Sequence, residues 1–154
     1  MCRTATLALP PLAESPRRAR RFLLERLWER GWRPDVAGAT LTDQGQLVLT
    51  ELVTNALRHA RGQMQIRIEA HQDRLTLSVT DSVRPTGPLT PQHVGPASQS
   101  GRGLIIVDTL SSAWGVQEEL VGKTVWAQLP VPPSSWPANP CRDQNRSDSV
   151  ERPK

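Results

Sequence analysis

The segment that most constrains the fold of this 154-residue chain is residues 47–60, LVLTELVTNALRHA. Its apolar residues recur at three- and four-residue steps, as on the buried face of a helix. The same helix carries Glu51, Asn55 and His59 at four-residue steps, so their side chains lie on one face. A solvated face, a set of satisfied core hydrogen bonds or a binding site would each explain this polar stripe. Taken alone, the helix favours the first two explanations.

Two alternating segments follow this helix and predict a sheet with one apolar face. Residues 64–71 and 75–80 place apolar and polar side chains in turn, with a tight turn at Gln72 and Asp73 between them. Further strands are predicted at 4–9, 113–120 and 123–131, the last two joined by a turn at Val121 and Gly122. Strands of this kind suit an antiparallel sheet that helices cover on one side.

Two more helices complete the predicted fold. The first begins at Ser15, which we expect to cap it, and ends before Gly31. The helix with the polar stripe is expected to start with a cap at Thr42 or Asp43. A short apolar helix is predicted at 104–110. In chain order the prediction is a strand, two helices, two strands, a helix and two strands within one domain.

Two stretches lack periodicity. Residues 84–100 contain four prolines and two glycines, and structureless loops longer than about 12 to 15 residues are usually functional or disordered. We therefore expect a lid loop at about 84–102. Residues 132–154 are polar and contain prolines, which predicts a disordered tail. The expected organisation is a folded domain at 1–131 followed by this tail.

The charge balance is weak support for a nucleic-acid partner. Lys and Arg exceed Asp and Glu by 19 − 15 = 4, and the sequence pI is near 10.0. The positive charge is concentrated in Arg17, Arg18, Arg20 and Arg21, without interleaved aromatic residues. The positive charge of these arginines is unfavourable beside the N-terminal end of the dipole of the first helix. They form either a solvated first turn or a site for an anionic partner. We expect no direct contact with nucleic acid.

Cysteine usage and hydropathy point to a reduced intracellular protein. Cys2 and Cys141 lie near opposite ends of the chain and have no metal-ligand spacing. No segment approaches the ~20 apolar residues that a membrane span requires, and no apolar leader begins the chain. The expected location is the cytoplasm, with no contact to a membrane.

Three further features add chemistry to the polar stripe. Asp81 ends the alternating segment LTLSVTD, where its carboxyl group can accept a hydrogen bond from an exocyclic amine or start a turn. Gly101 and Gly103 precede the predicted helix at 104–110, where free N–H groups can hold phosphate or simply join loop and helix. The segment GKT at 122–124 begins the last strand. Its threonine hydroxyl could contact a ligand, or the segment could simply form a hairpin turn.

Taken in chain order, these features resemble the GHKL ATPase superfamily, named for gyrase, the heat-shock chaperone of ninety kilodaltons, histidine kinases and MutL. The segments ELVTNALRHA, GRGLIIVDTLSSAWGV and GKTVWAQL look more closely like its small bacterial branch of anti-sigma factors with serine/threonine kinase activity. The resemblance covers residues 4–131. It implies an α+β fold of the Bergerat type, a two-layer α/β sandwich whose mixed, mostly antiparallel sheet carries helices on one face.

The resemblance also implies an ATP site between the striped helix and the lid. Asn55 would be a ligand of Mg²⁺, and Glu51 would be the general base, a role typically worth ~10² to 10⁴ in rate. Asp81 would read adenine, with Thr124 assisting. These four residues would accordingly serve the metal, the reacting hydroxyl and the base of the nucleotide.

The GRGL segment would serve the phosphates. The resemblance implies that Gly101 and Gly103 let the lid backbone approach them, that Arg102 adds positive charge, and that Leu104 completes the segment. His59 matches a position that is often histidine in this branch, and no role follows for it.

The chain departs from the superfamily directly after Asp81. The usual DxGxG reads DSVRP here, and Val83 and Pro85 restrict φ where glycine would be free. The backbone therefore cannot take the same close turn past adenine. This departure leaves more than one function open.

The first hypothesis is a regulatory protein that binds ATP and a sigma factor or similar regulator, and phosphorylates a Ser or Thr of an antagonist protein. The alternative is a non-catalytic module, gated by nucleotide or lacking it, that regulates transcription by partner contact. A third hypothesis, the catalytic half of a histidine kinase, ranks last because no phospho-acceptor helix pair is present. Relatives in the anti-sigma branch often act as dimers, which leaves a homodimer open.

Overall fold

The computed structural model describes residues 4–29, 38–59, 62–71, 73–82, 99–118, 120 and 122–131. The predicted tail and nearly all of the predicted lid loop lie outside these residues. The described elements are, in chain order, β1 (Thr4–Leu9), α1 (Ser15–Glu29), α2 (Gly38–His59), β2 (Met64–Ala70), β3 (Arg74–Asp81), α3 (Gln99–Leu110), β4 (Ala113–Glu118) and β5 (Lys123–Pro130).

The strands form one sheet in the order β1-β2-β3-β5-β4. Every neighbouring pair of these strands is antiparallel, where a mixed sheet was predicted. Alternation decides which face is buried: Met64, Ile66 and Ile68 of β2 are at most 1% exposed, whereas Gln65 and Arg67 are exposed. The helices pack on the apolar face. The predicted α+β fold with helices on one face of the sheet is confirmed.

Helix α2 is the centre of the helix layer. It packs between α1 and α3 and lies on β3 and β5, with Leu49, Leu52 and Val53 completely buried. Its apolar face is wide enough to meet α1, α3 and the sheet. The polar stripe is therefore carried by the most enclosed helix of the domain.

Two helices begin differently from the prediction. Helix α2 starts at Gly38, ahead of the predicted cap at Thr42 or Asp43, because Leu41 packs into the core at 3% exposure and retains the earlier turn. Helix α1 does start at Ser15, but the Ser15 hydroxyl donates to the carbonyl of Pro10 at 2.6 Å instead of capping the helix. In both cases tertiary packing overrides the local capping signal.

Candidate functional site

Asp81 ends β3 with a buried carboxyl group, one oxygen of which has no hydrogen-bond partner among the described residues. The residue is 2% exposed, and it lies between Met64 of β2 and Lys123 of β5. Within the described part of the chain, Asp81 Oδ1 is buried and makes no hydrogen bond. Burying a polar oxygen without a partner costs free energy, so native structures rarely do it. The Asp81 carboxyl group therefore marks a place where a ligand can donate a hydrogen bond.

Gly122, the residue just before β5, packs against the end of β3. Its φ is +95°, a region that favours glycine. A Cβ placed on Gly122 would overlap the carbonyl oxygen of Asp81 and lie 3.1 Å from the Cα of Ser82. The turn before β5 can therefore pass against the Asp81 backbone only because residue 122 has no side chain. In the GKT motif, the glycine is the residue that supports Asp81.

The other two residues of this motif lie on opposite faces of the sheet. Thr124 pairs with Thr80, and their hydroxyl oxygens are 2.7 Å apart. Because side chains alternate along a strand, the Thr124 hydroxyl is on the face away from the Asp81 carboxyl group. The structure thus does not bring Thr124 to Asp81. Lys123, which the sequence interpretation passed over, starts on the same face as Asp81 and directly across from it.

Glu51 of α2 meets the GRGL segment of α3. A Cβ on Gly103 would overlap Glu51 Oε2 and lie 3.4 Å from Glu51 Cδ. Glu51 is partly buried, and in the described part of the chain its carboxylate makes no hydrogen bond or ion pair. Asn55, also partly buried, follows one turn later, about 6 Å along the helix axis. The structure therefore brings Glu51, Asn55 and Gly103 into one region.

The GRGL segment lies inside a helix, and the predicted start at residue 104 is wrong. Helix α3 begins at Gln99, so it contains all four residues of the segment, Gly101, Arg102, Gly103 and Leu104. The close approach of Gly103 to α2 favours helix here despite the low helix propensity of glycine. Gly101 still lies in the first turn, where backbone N–H groups lack acceptors within the helix. Phosphate can be held there without a preceding glycine loop.

The two halves of the site lie at the same end of the domain. Gly62, just after α2, packs against Ser82, just after Asp81, and the Ser82 hydroxyl donates to the carbonyl of Gln63 at 2.9 Å. The C-terminal end of α2 therefore meets the strand end that carries Asp81. The side chain of His59, the last residue of α2, is outside the described residues.

The contact between Gly103 and Glu51 makes a prediction about stability. In an open helix position a change from glycine to alanine would stabilise by up to about 1 kcal/mol. At Gly103 we expect this gain to be lost, so that Gly103→Ala changes the free energy of unfolding by less than about 1 kcal/mol, because the added methyl group must displace the flexible end of the Glu51 side chain. In a Glu51→Ala background the methyl group has room, so Gly103→Ala becomes stabilising there. Denaturant unfolding of the four proteins measures this coupling, and equal effects in both backgrounds would contradict the contact.

Comparison with known families adds one finding to this geometry. The family model of the histidine kinase-like ATPase domain matches residues 9–129. The chain belongs to this family. No curated protein matches the chain. The match takes in α2, Asp81, α3 and nearly all of β5, so the ATPase domain contains both halves of the site, and the predicted GHKL type is confirmed.

Two features of the site in this ATPase domain fit ATP. They are the unpaired oxygen of Asp81 and the contact between Gly103 and Glu51. Among the described residues, no three His, Cys, Asp or Glu side chains cluster as a metal cage. Mg²⁺ usually keeps several waters and takes only one or two protein oxygens besides phosphate. The single amide of Asn55 is a donor of that kind.

The hydropathy of the ATPase domain adds one further finding. None of the described helices combines the length and the apolar character needed to cross a bilayer.

Proposed function

We propose that this ATPase domain is an ATP-dependent regulatory protein of the anti-sigma type, which binds a sigma factor or similar regulator and phosphorylates a Ser or Thr of an antagonist protein. The observation that supports it most is Glu51, a partly buried carboxylate without an ion pair in the described residues, set against the GRGL segment. A carboxylate placed beside a phosphate-binding segment is positioned to act as a base. Such a regulator would act in the cytoplasm.

The nucleotide would be held from two sides. Asp81 accepts a hydrogen bond from the exocyclic amine of adenine, which satisfies its unpaired oxygen. The N–H groups in the first turn of α3, including that of Gly101, donate to the phosphates, and Arg102 adds charge there. Asn55 would supply an amide oxygen to Mg²⁺, which when bound neutralises phosphate charge. Leu104 follows within α3.

Glu51 would then take part in the transfer step. The antagonist hydroxyl loses its proton to the Glu51 carboxylate while its oxygen bonds to the γ-phosphorus, and the bond from that phosphorus to the leaving ADP oxygen breaks. The products are ADP and a phosphorylated Ser or Thr. The added phosphate would weaken the antagonist's hold on its partners through charge and desolvation.

Transfer of labelled phosphate from ATP to candidate antagonist proteins tests this proposal. We expect Glu51→Gln to lower the transfer rate by about 10²- to 10⁴-fold while ATP still binds. We expect Asn55→Ala to remove the Mg²⁺-dependent part of ATP affinity. Glu69→Gln, on the outer face of the sheet at the end of β2 away from Asp81, is the matched control and should transfer like the parent. Unchanged transfer in Glu51→Gln would exclude Glu51 as the base.

One observation favours the non-catalytic alternative. Asp81 is followed by Ser82, whose hydroxyl is tied to Gln63, rather than by a glycine turn. A strand end fastened in this way has less freedom to close around adenine. If the parent binds ATP and its partner but transfers no phosphate, the function is nucleotide-gated binding.

A further inference from the structure

The outer sides of α1 and α2 form a continuous surface that the nucleotide site does not use. The two helices are antiparallel: Arg20 Nη1 donates to Thr50 Oγ1 at 3.1 Å, and Leu23 lies against Gly45, earlier in α2. Leu24 comes one turn after Arg20 on α1. On α2, Leu47 lies between the rows of Thr50 and Glu51, and both leucines are exposed. We define the α1–α2 face as Arg17, Arg20, Arg21, Leu24, Trp28 and Leu47.

One end of the α1–α2 face is basic. Arg17 and Arg21 lie one turn apart on the exposed side of α1, opposite its buried stripe. Arg21 forms an ion pair with Glu25 at 3.6 Å that is largely exposed, whereas Arg17 has no ion pair in the described part of the chain. No acidic residue lies in the first turn of α1 to offset the helix dipole. The face therefore carries positive charge that the described residues leave largely uncompensated.

The rest of the face is mainly apolar, although the exposed Asp43 lies one turn before Leu47. Leu24 is 39% exposed, Trp28 is 55% exposed and Leu47 is 43% exposed. Leu24 and Trp28 are four residues apart and continue the stripe that begins with Arg17 and Arg21. Apolar side chains grouped beside cations are the pattern of a surface that binds a partner, since isolated exposed leucines would not align in this way.

We propose that the α1–α2 face binds an acidic amphipathic segment of a partner protein, whose apolar side chains cover Leu24, Trp28 and Leu47 while its carboxylates meet the arginines. Charge complementarity selects an acidic partner, and the three apolar side chains select a protein. Trp28 is the one aromatic residue among those that define the face, whereas a nucleic-acid site would be expected to combine several aromatic residues with the cations. The outer surface of two antiparallel helices suits an amphipathic helix laid along it.

This inference rests on the proposed function only in requiring a protein partner. Most of the face lies on α1, which packs beside Thr50, whereas Glu51 faces α3. Leu47, one turn before Glu51 on α2, is the member of the face nearest the nucleotide site. Partner binding and nucleotide binding can therefore be disturbed separately. They would be coupled, if at all, through α2 itself.

Fluorescence anisotropy with a labelled synthetic helix tests the α1–α2 face. The probe is a peptide with leucines on one helical face and glutamates beside them, and a second peptide carries lysine in place of glutamate. We expect the acidic peptide to bind the full chain, and Arg17→Glu to weaken this binding at least fivefold. Arg17→Glu places an acid in the first turn of α1, which favours the helix, so unfolding would not explain the loss.

Two further variants separate the outcomes. Leu24→Ser should also weaken binding of the acidic peptide at least fivefold. Arg67→Glu makes the same charge change on the other face of the sheet, and it should leave the affinity for this peptide within twofold of the parent's. Equal binding of the acidic and lysine peptides, or equal effects of Arg17→Glu and Arg67→Glu, would overturn the proposal. Duplex DNA is tested in the same way. If it bound tightly, and if Arg17→Glu weakened this binding but Leu24→Ser did not, the face would be assigned to nucleic acid instead. Loss of ATP binding with unchanged peptide binding would refute the proposed function alone.

Discussion

Asp81→Asn is expected to weaken ATP binding by about 10- to 100-fold, because it replaces a buried carboxyl acceptor by an amide of the same shape. A lost hydrogen bond to a charged or buried group costs about 1 to 3 kcal/mol, which corresponds to this range in Kd. The shape of the side chain is unchanged, so the fold should persist. Calorimetric titration with Mg-ATP measures the change in affinity.

The same variant should also lose base selectivity. In the proposed site the parent would accept a hydrogen bond from the 6-amino group of adenine, whereas an amide can turn and donate to the 6-oxo group of inosine. The ratio of ATP to ITP affinity should therefore fall toward one in Asp81→Asn. Asp73→Asn, the same chemical change at an exposed position just before β3, is the matched control. If Asp81→Asn kept the parent's ATP affinity and selectivity, Asp81 would not contact the base.

Gly122→Ala is expected to have the largest effect on stability, about 2 to 5 kcal/mol of the free energy of unfolding. The positive φ strains any residue with a Cβ, and the methyl group overlaps the carbonyl oxygen of Asp81, which is rigid backbone. The turn must therefore move away from β3, and Asp81 moves with it. Denaturant unfolding gives the stability change, and Mg-ATP titration under folding conditions should show weaker binding.

Gly62→Ala is the matched control for this substitution. Gly62 also lies beside the end of β3, but among the described residues a Cβ there meets only the Ser82 hydroxyl, at 2.8 Å, and this group can rotate. We expect its effect on the free energy of unfolding to stay within about 1 kcal/mol. Similar losses in the two variants would mean that the contact between Gly122 and Asp81 is not what supports the strand end.

The strands were predictable because their faces differ in chemistry. In β2, Met64, Ile66 and Ile68 alternate with polar residues, and the structure buries the first set and exposes the second. A one-residue shift in register would invert this arrangement, so the sequence pattern allows only one. The same reasoning found Asp81 as the last residue of an alternating strand.

Other features depend on contacts between distant segments, which local patterns do not contain. The start of α3 at Gln99 depends on how closely Gly103 approaches Glu51, and these residues are far apart in sequence. The face of Thr124 depends on its register with Thr80. Motif order brought Thr124 into the predicted site, but strand register places its hydroxyl on the other side of the sheet.

The role of Asp81 also depends on contacts between distant segments. Its position at a strand end was readable in the sequence, but for this residue taken alone a turn-starting aspartate was the favoured explanation. Its burial and its unpaired oxygen follow only from the pairing of β3 with β2 and β5. Burial is therefore the property that separates the ligand-binding interpretation from the local one.

The central position of α2 has a consequence for how such a chain can change over time. Its inner side packs in the core through residues such as Leu49 and Leu52. One of its flanks packs against α1, and the other carries Glu51 and Asn55. Few positions on α2 can drift without disturbing packing or nucleotide chemistry. Helix α1 contributes most of the α1–α2 face and has a freely exposed side, so new partner preferences can accumulate there while the ATP site stays constant.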